Sequence, residues 1–408
     1  MVATELKENR EGREFLRHVI DLDSHEMMPT HLWAEPFGPV AQEFIDLAHR
    51  RMADAAENSL VRPDLIGDVA EITAESVWAM KGPGAPGAAD FSRRAEVMDV
   101  MGVHRQLVFP GFAQAGMFLH YNPASAGFYK LAGAEVDVDR RELAHRVFAA
   151  HNDWAIRTTK ELGADRIRIV AFCAGETIAE LLAQAEHAIA EGIRAIQIPV
   201  GAPPAGMSPA DRRLDPFWAL CAEANVPIVV HVGSHQCLFA SQAWNADVPE
   251  FEPTVGESEE FNVEPYGAAS LQFAPDNMLC AMILGGVFER HPMLRFGVVE
   301  LGAHWVGPLA EKLDMYAGQF SKPLRNLTMP PSRYLARNVR VTPFHFEPVD
   351  LYLARHPDLC DVYCYSSDYP HREGGKYAKD IFVDRLHGFD DATLEKFFVT
   401  NGEYILPA

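Results

Sequence analysis

The sequence predicts an α/β fold of the (β/α)₈ type, with extra helices and loops inserted at the mouth of the barrel. Two observations predict it. Short apolar runs, several of them continuous and β-branched, alternate with longer amphipathic stretches, as parallel strands covered on both faces alternate with the helices that cover them. The number of such runs is eight, the number that closes a barrel; an open doubly wound sheet is the other arrangement built from this alternation.

In order, the strands are expected at Val19–Asp23, Gln106–Phe109, Arg168–Phe172, Ala195–Ile198, Ile228–His231, Arg295–Val299, Val339–Thr342 and Val362–Tyr365. Helices are expected between them. Asp139 to Leu162 precedes the third strand. Glu176 to Glu191 follows it, with Gly192 as the stop. Asp215 to Ala224 precedes the fifth strand, started by Asp215-Pro216. Two stretches exceed a plain barrel, residues 30–95 with the run KGPGAPGAAD, and residues 233–280, rich in Asn, Glu, Pro and aromatics. Long insertions of this kind form lids or subunit contacts. Neither reads as an independent domain, so residues 1–408 are expected to be one domain.

Of the 408 residues 48% are hydrophobic, enough for a large core, and the formal net charge is −21. Such a surface repels phosphate backbones and anionic membranes, so a small-molecule substrate is expected and nucleic acid and membrane are not. The six cysteines contain no CxxC pair and outline no disulfide framework. The charged start MVATELKENREGREFLR has no apolar signal core, and no stretch has the length of a membrane span. A reducing cytoplasm fits these features. A homodimer through the insertions is expected.

Chemistry-bearing residues stand at the ends of the strands. Asp21-Leu22-Asp23-Ser24-His25 ends the first. Residues two apart share a face of a strand, so Asp23 and His25 project together, a carboxylate and an imidazole that suit a divalent cation. His231 ends the fifth strand just before Val232-Gly233. Glu300 and His304 follow the sixth, and an acid at the end of a buried strand needs a partner, which makes Glu300 a candidate base or ligand. Asp368 and His371 follow the eighth in Tyr365-Ser366-Ser367-Asp368-Tyr369-Pro370-His371. Each residue alone has a structural reading, as a core histidine, a turn aspartate or a salt bridge. Together they stand where barrel strands converge on one mouth. Arg194, Trp218, Trp305 and His371 are candidates for contacting substrate.

The stretches VIDLDSHEMMPTHLW, AEVMDVMGVHRQLVFPG, GIRAIQIPVG, LDPFWALCAEANVPIVVHVGSH, VFERHPMLRFGVVELGAHWV, PSRYLARNVRVT, YCYSSDYPHREG and FFVTNGEYIL span nearly the whole chain. In their order and spacing the sequence resembles the amidohydrolase superfamily, in the amidohydrolase-related family of aminocarboxymuconate-semialdehyde decarboxylase and γ-resorcylate decarboxylase. The resemblance implies a TIM barrel with one catalytic divalent metal, Zn²⁺ favoured and Mn²⁺ the alternative. It maps Asp23, His25, His231 and Asp368 onto the family's metal ligands, while Asp368, Glu300 and His304 are the candidate catalytic groups. Two departures stand out. Asp23 replaces the family's first histidine or glutamate, and Glu300 stands where decarboxylases carry an acid/base histidine. The expected activity is a metal-dependent lyase, a non-oxidative decarboxylase of an aromatic or unsaturated carboxylic acid. The alternative is a hydrolase of an amide, ester or lactone, or a hydratase, using metal-activated water with Asp368 or Glu300 as base. A barrel without metal, serving as a binding protein, is the non-enzymatic reading.

Overall fold

The computed structural model describes residues 13–52, 68–121, 140–241, 243–251 and 264–408. Strands β1 (Val19–Asp21), β2 (Val103–Val108) and β3 (Ile167–Ile169) form one parallel sheet. Strands β4 (Ala171–Phe172), β5 (Ile196–Gln197), β6 (Ile228–Val230), β7 (Phe296–Val298) and β8 (Val339–Val341) form a second, also parallel. β3 and β4 are two halves of one predicted strand interrupted at Val170, whose N–H donates to Val108 O while Ala171 N donates to Ala195 O, so the two sheets run into each other.

The other seam is closed by residues 362–365. Cys364 N donates to Val341 O on one side, and Leu22 N donates to Tyr365 O at 3.2 Å on the other. Backbone hydrogen bonds therefore pass from strand to strand around a (β/α)₈ barrel. The predicted eighth strand is reduced to a single bridge between Val341 and Tyr363, because Tyr365 N is diverted to Phe397 O.

The helices behave as their sequences require. Thr177 caps Ile178–Ala190 by accepting from Glu180 N, and Glu180 returns a bond to Thr177 N. Asp215–Glu223 starts with its predicted Pro, and Arg140–Leu162 starts beside the predicted Asp139, which lies outside the described residues. Ile20, Leu22, Leu107, Phe109, Val170, Val229 and Val299 fill the barrel interior together with Ile405 and Leu406 of the C-terminal segment. That segment plugs the floor: Arg105 donates to Leu406 O, and Arg340 lies 4.1 Å over the Tyr404 ring.

The described parts of the 30–95 insertion pack over the mouth. Gly82 N donates to Pro370 O, Met27 N to Ala88 O, and Tyr369 Oη–H to Pro86 O. The described parts of 233–280 form short turns and the helix Phe273–Leu284. All six cysteines are free. Among the described residues no helix is long and apolar enough to cross a membrane.

Candidate metal centre

The first strand is fixed beyond its last regular pair. His25 N donates to Tyr369 O at 2.7 Å, and Phe109 N donates to Ser24 O at 2.7 Å. This extended path turns Asp23 and His25 to one side, as their spacing predicts. Two residues earlier on the same face, Asp21 is a buried scaffold. Its carboxylate accepts from Ser367 N, Ser367 Oγ and Gln106 Nε2 at 2.6–2.9 Å, and so ties the first strand to the loop that carries Asp368. Burial pushes the Asp21 carboxyl up to about 6, against the opposing pull of these hydrogen bonds.

His231 follows β6, and its Nδ1 lies 3.1 Å from Val232 O. That contact places the proton on Nδ1 and leaves the Nε2 lone pair for a ligand. Glu300 follows β7 with φ +53°, and Asp368 follows the eighth strand with φ +49°. Neither is glycine, and a left-handed backbone at two carboxylates of one site marks strain held for placement.

Together these residues form one buried cluster. From His25 Nε2 it is 3.3 Å to Asp23 Oδ1 and 3.1 Å to Asp368 Oδ1. From His231 Nε2 it is 3.5 Å to Asp23 Oδ1 and 3.0 Å to Glu300 Oε2. His371 Nδ1 lies 3.1 Å from Asp368 Oδ1, and its ring stacks on His25 with centroids 3.8 Å apart. Ligand atoms about 2.0–2.2 Å from a common ion stand roughly 3.0–3.5 Å from each other. Moreover Asp23 Oδ1, His25 Nε2, His231 Nε2, Glu300 Oε2 and Asp368 Oδ1 are all buried without a hydrogen-bond partner of acceptable angle. Buried polar atoms left in this state and aimed at each other fit a divalent cation.

The charges agree. Burial works to lower His231, but the Asp23 and Glu300 carboxylates overcome it and push it up to about 10. Burial and the Asp368 anion raise Glu300 to about 7, against the pull of His231. Burial would raise Asp368 as well, but His371 and His25 hold it below the ordinary carboxylate range. His371 in turn is held up to about 9 by Asp368 despite burial. The site attracts positive charge, whether as protons or as a metal ion.

Other predicted residues lie elsewhere. His304 is half-exposed, with its Nε2 against Gln272 Oε1 and its Nδ1 3.7 Å from Glu347 Oε2, and it does not join the cluster. Arg194 precedes β5 and lines a cleft with Arg168 and Pro407 at the floor, the end opposite the metal cluster. Trp218 is fully buried, with its Nε1 donating to Pro209 O. Trp305 is buried, with its Nε1 donating to Gly302 O. Both indoles are satisfied by backbone and serve packing. His371 alone of the substrate candidates reaches the site.

The structure adds residues that the sequence did not single out. A narrow cleft opens on Asp23, Glu300 and Asp368 and is walled by Thr342, His345, Ser366 and Glu373. Lys81 of the first insertion approaches Asp368 and Glu373 closely enough to interact electrostatically with both. Asp21 could have been found, since it shares parity with Asp23 and His25. For Lys81 and His345 no sequence signal existed, because folded loops bring them there.

The family profile described as Amidohydrolase matches residues 115–407. No curated protein sequence matches the chain. Solved structures of similar fold include an amidohydrolase of Mycobacterium avium subsp. paratuberculosis K-10, with TM-score 0.65 and 18% identity, covering 95% of this chain and 99% of that one. The 5-carboxyvanillate decarboxylase of Sphingomonas paucimobilis gives 0.56 and 17%, covering 95% and 98%. The dihydroxybenzoic acid decarboxylase of Polaromonas sp. JS666, with bound manganese and the inhibitor 2-nitroresorcinol, gives 0.55 and 14%, covering 95% and 96%.

Proposed function

The chain belongs to the amidohydrolase family, and on that premise we propose that it is a metal-dependent carboxy-lyase, a non-oxidative decarboxylase of an aromatic or unsaturated carboxylic acid. The observation that carries the reading is the buried cluster of five ligand atoms without hydrogen-bond partners at the mouth of the barrel. The names of the structural neighbours, decarboxylases of hydroxylated benzoic acids, supply the substrate class.

Asp23, His25, His231 and Asp368 would hold one divalent ion, with Zn²⁺ as first candidate and Mn²⁺, the ion in the Polaromonas enzyme, as second. Such an ion supplies Lewis-acid polarisation of substrate oxygens. The chain's own residues supply the proton. Decarboxylation breaks the bond from ring or chain carbon to the carboxylate and forms a C–H bond in its place, releasing CO₂. Protonated His371 supplies that proton, and the Asp368 carboxylate, 3.1 Å away, relays it to the carbon. The chain is further proposed to act in the cytoplasm as a homodimer.

Glu300 favours a second reading. A buried carboxylate beside His231 is a base for hydrolysis or hydration, with His304 outside the reacting centre.

The test is direct. Purified protein should carry near-stoichiometric Zn or Mn by elemental analysis and release CO₂ from a hydroxybenzoate or a related unsaturated acid. Asp368→Asn should abolish turnover while the fold persists. Absence of metal, with no activity gained on adding any, would sink the proposal.

A further inference from the structure

A second group of metal-ligating side chains shares no residue with the mouth cluster: His120, His145 and Glu176. Three elements bring them together. His120 stands in the last turn of the helix Phe112–Tyr121, which follows β2, and His145 stands near the start of the helix Arg140–Leu162. These helices touch at Gly116, where an added Cβ would stand 2.7 Å from Phe148 Cε1. His120 lies four residues beyond Gly116 and His145 three before Phe148, so each imidazole is on the helix face that carries the contact. The two rings meet edge to face with centroids 5.1 Å apart.

Glu176 comes from the loop after β4, and its backbone is fixed. Gly175 has no room for a side chain, since a Cβ there would stand 2.3 Å from Leu181 N, and Glu176 N donates to Glu180 Oε2 at 3.0 Å. The carboxylate faces both rings. Its Oε1 is 3.4 Å from His145 Nε2 and 3.9 Å from His120 Nε2. One ligand atom from each of the three residues lies within 4.8 Å of the other two. Ligands that share a Zn²⁺ ion stand roughly 3.0–3.5 Å apart, so the group has to close by about an ångström. Glu176 and His145 are partly exposed and can move that far around His120.

His120 is the fixed member. Its side chain is nine-tenths buried, and its Nδ1 is buried without a hydrogen-bond partner, so packing holds the ring. The other nitrogen is the one turned to Glu176. Burial, with His145 and Arg141 beside it, pushes the His120 pKa down to about 4 against the pull of Glu176. A neutral ring makes no ion pair with that carboxylate, but it offers a lone pair to a cation. Arg141 competes for the same oxygen, with Nη1 3.7 Å from Glu176 Oε1, from a side chain that is 69% exposed and free to swing away.

We infer that His120, His145 and Glu176 form a second divalent-cation site, where the helix after β2 meets the loop after β4, and that the site takes Zn²⁺ with water completing its shell. Two imidazoles and a carboxylate suit Zn²⁺ better than Mg²⁺ or Ca²⁺, which prefer oxygen throughout. A bound ion ties two helices to the β4 loop. The inference stands independently of the reaction at the mouth.

The experiment titrates untagged full-length protein with Zn²⁺ alone, by calorimetry and equilibrium dialysis. His145→Ala should bind one zinc fewer per chain than wild type, whatever the mouth cluster holds. Glu176→Gln should weaken the same zinc by about tenfold or more. Arg141→Ala should bind it more tightly, because the arginine no longer competes for the carboxylate. Protein whose mouth cluster is disabled by Asp23→Asn with His25→Ala should still take up one zinc. Metal-free thermal midpoints identify any variant that loses zinc by losing its fold; Arg141→Ala, the most exposed change, decides in that case. Equal stoichiometry in wild type and a folded His145→Ala would overturn the site. Unchanged or weaker zinc binding in Arg141→Ala would do the same, and would leave the four side chains as an ion-pair network that no metal enters.

Discussion

Glu300 stands 3.0 Å from His231 Nε2, on a residue whose backbone is left-handed and whose N–H donates to Thr342 Oγ1 at 3.2 Å. Its neighbours at the cluster could bind an ion without it. Glu300→Gln should therefore lower kcat by about 10²-fold or more if this carboxylate moves a proton, with metal occupancy near wild type. A fall in occupancy would make it a ligand. Wild-type rate and occupancy would remove the main support for hydrolysis and hydration and favour decarboxylation. At this scale the sequence was legible wherever strand parity applied. Asp23 and His25 are two apart on one strand, and His231 and Asp368 end others, so their convergence follows from the barrel. Lys81 and His345 depend on how loops fold back over the mouth, which no local pattern encodes. Arg194 and Trp218 were read from residue type alone, and packing placed them at the floor and in the core.

At the scale of elements, the barrel depends on what fills its floor. The closing motif FFVTNGEYIL was visible in the sequence as a resemblance, but its role as a plug was not, because a short helix at the end of a chain carries no pattern that says what it packs against. In the structure Ile405 and Leu406 enter the barrel, and Gly402 lies so close to the first strand that an added Cβ would stand 2.6 Å from Ile20 Cβ. Gly402→Ala should thus destabilise the fold by about 1–3 kcal/mol through overpacking, read as a lower urea midpoint with unchanged slope. Stability equal to wild type would mean that the helix sits more loosely than the contact implies. The eighth strand shows a related limit. Its apolar run predicted a strand, but pairing demands partners on both edges, and Phe397 O takes one of its amides.

Across the whole molecule, the net charge of −21 argues against polyanionic partners, while the interior sets the response to acid. His151, on the helix Arg140–Leu162, is fully buried with its Nε2 3.0 Å from Val170 O. Burial pushes its pKa down to about 4, against the pull of that contact. In the unfolded chain the same imidazole titrates near 6.5, so between roughly pH 6.5 and 4 the unfolded state binds more protons than the folded one. Stability from keeping this ring neutral is therefore fully present above about pH 6.5 and is lost as pH falls toward 4, by on the order of 3 kcal/mol. His235, also buried and pushed down to about 4, adds in the same direction. Asp21, raised to about 6 by burial, has the opposite sign, since protonating it on acidification favours the fold. A wild-type profile alone mixes these contributions, so the comparison is with His151→Gln, which retains a donor for Val170 O and cannot titrate. Urea midpoints measured from pH 7 to 4.5 should fall less steeply for this variant than for wild type, with the two curves converging toward the acid end. Parallel curves across that range would show that His151 is not held neutral by burial, and acid sensitivity would then have to arise elsewhere in the barrel.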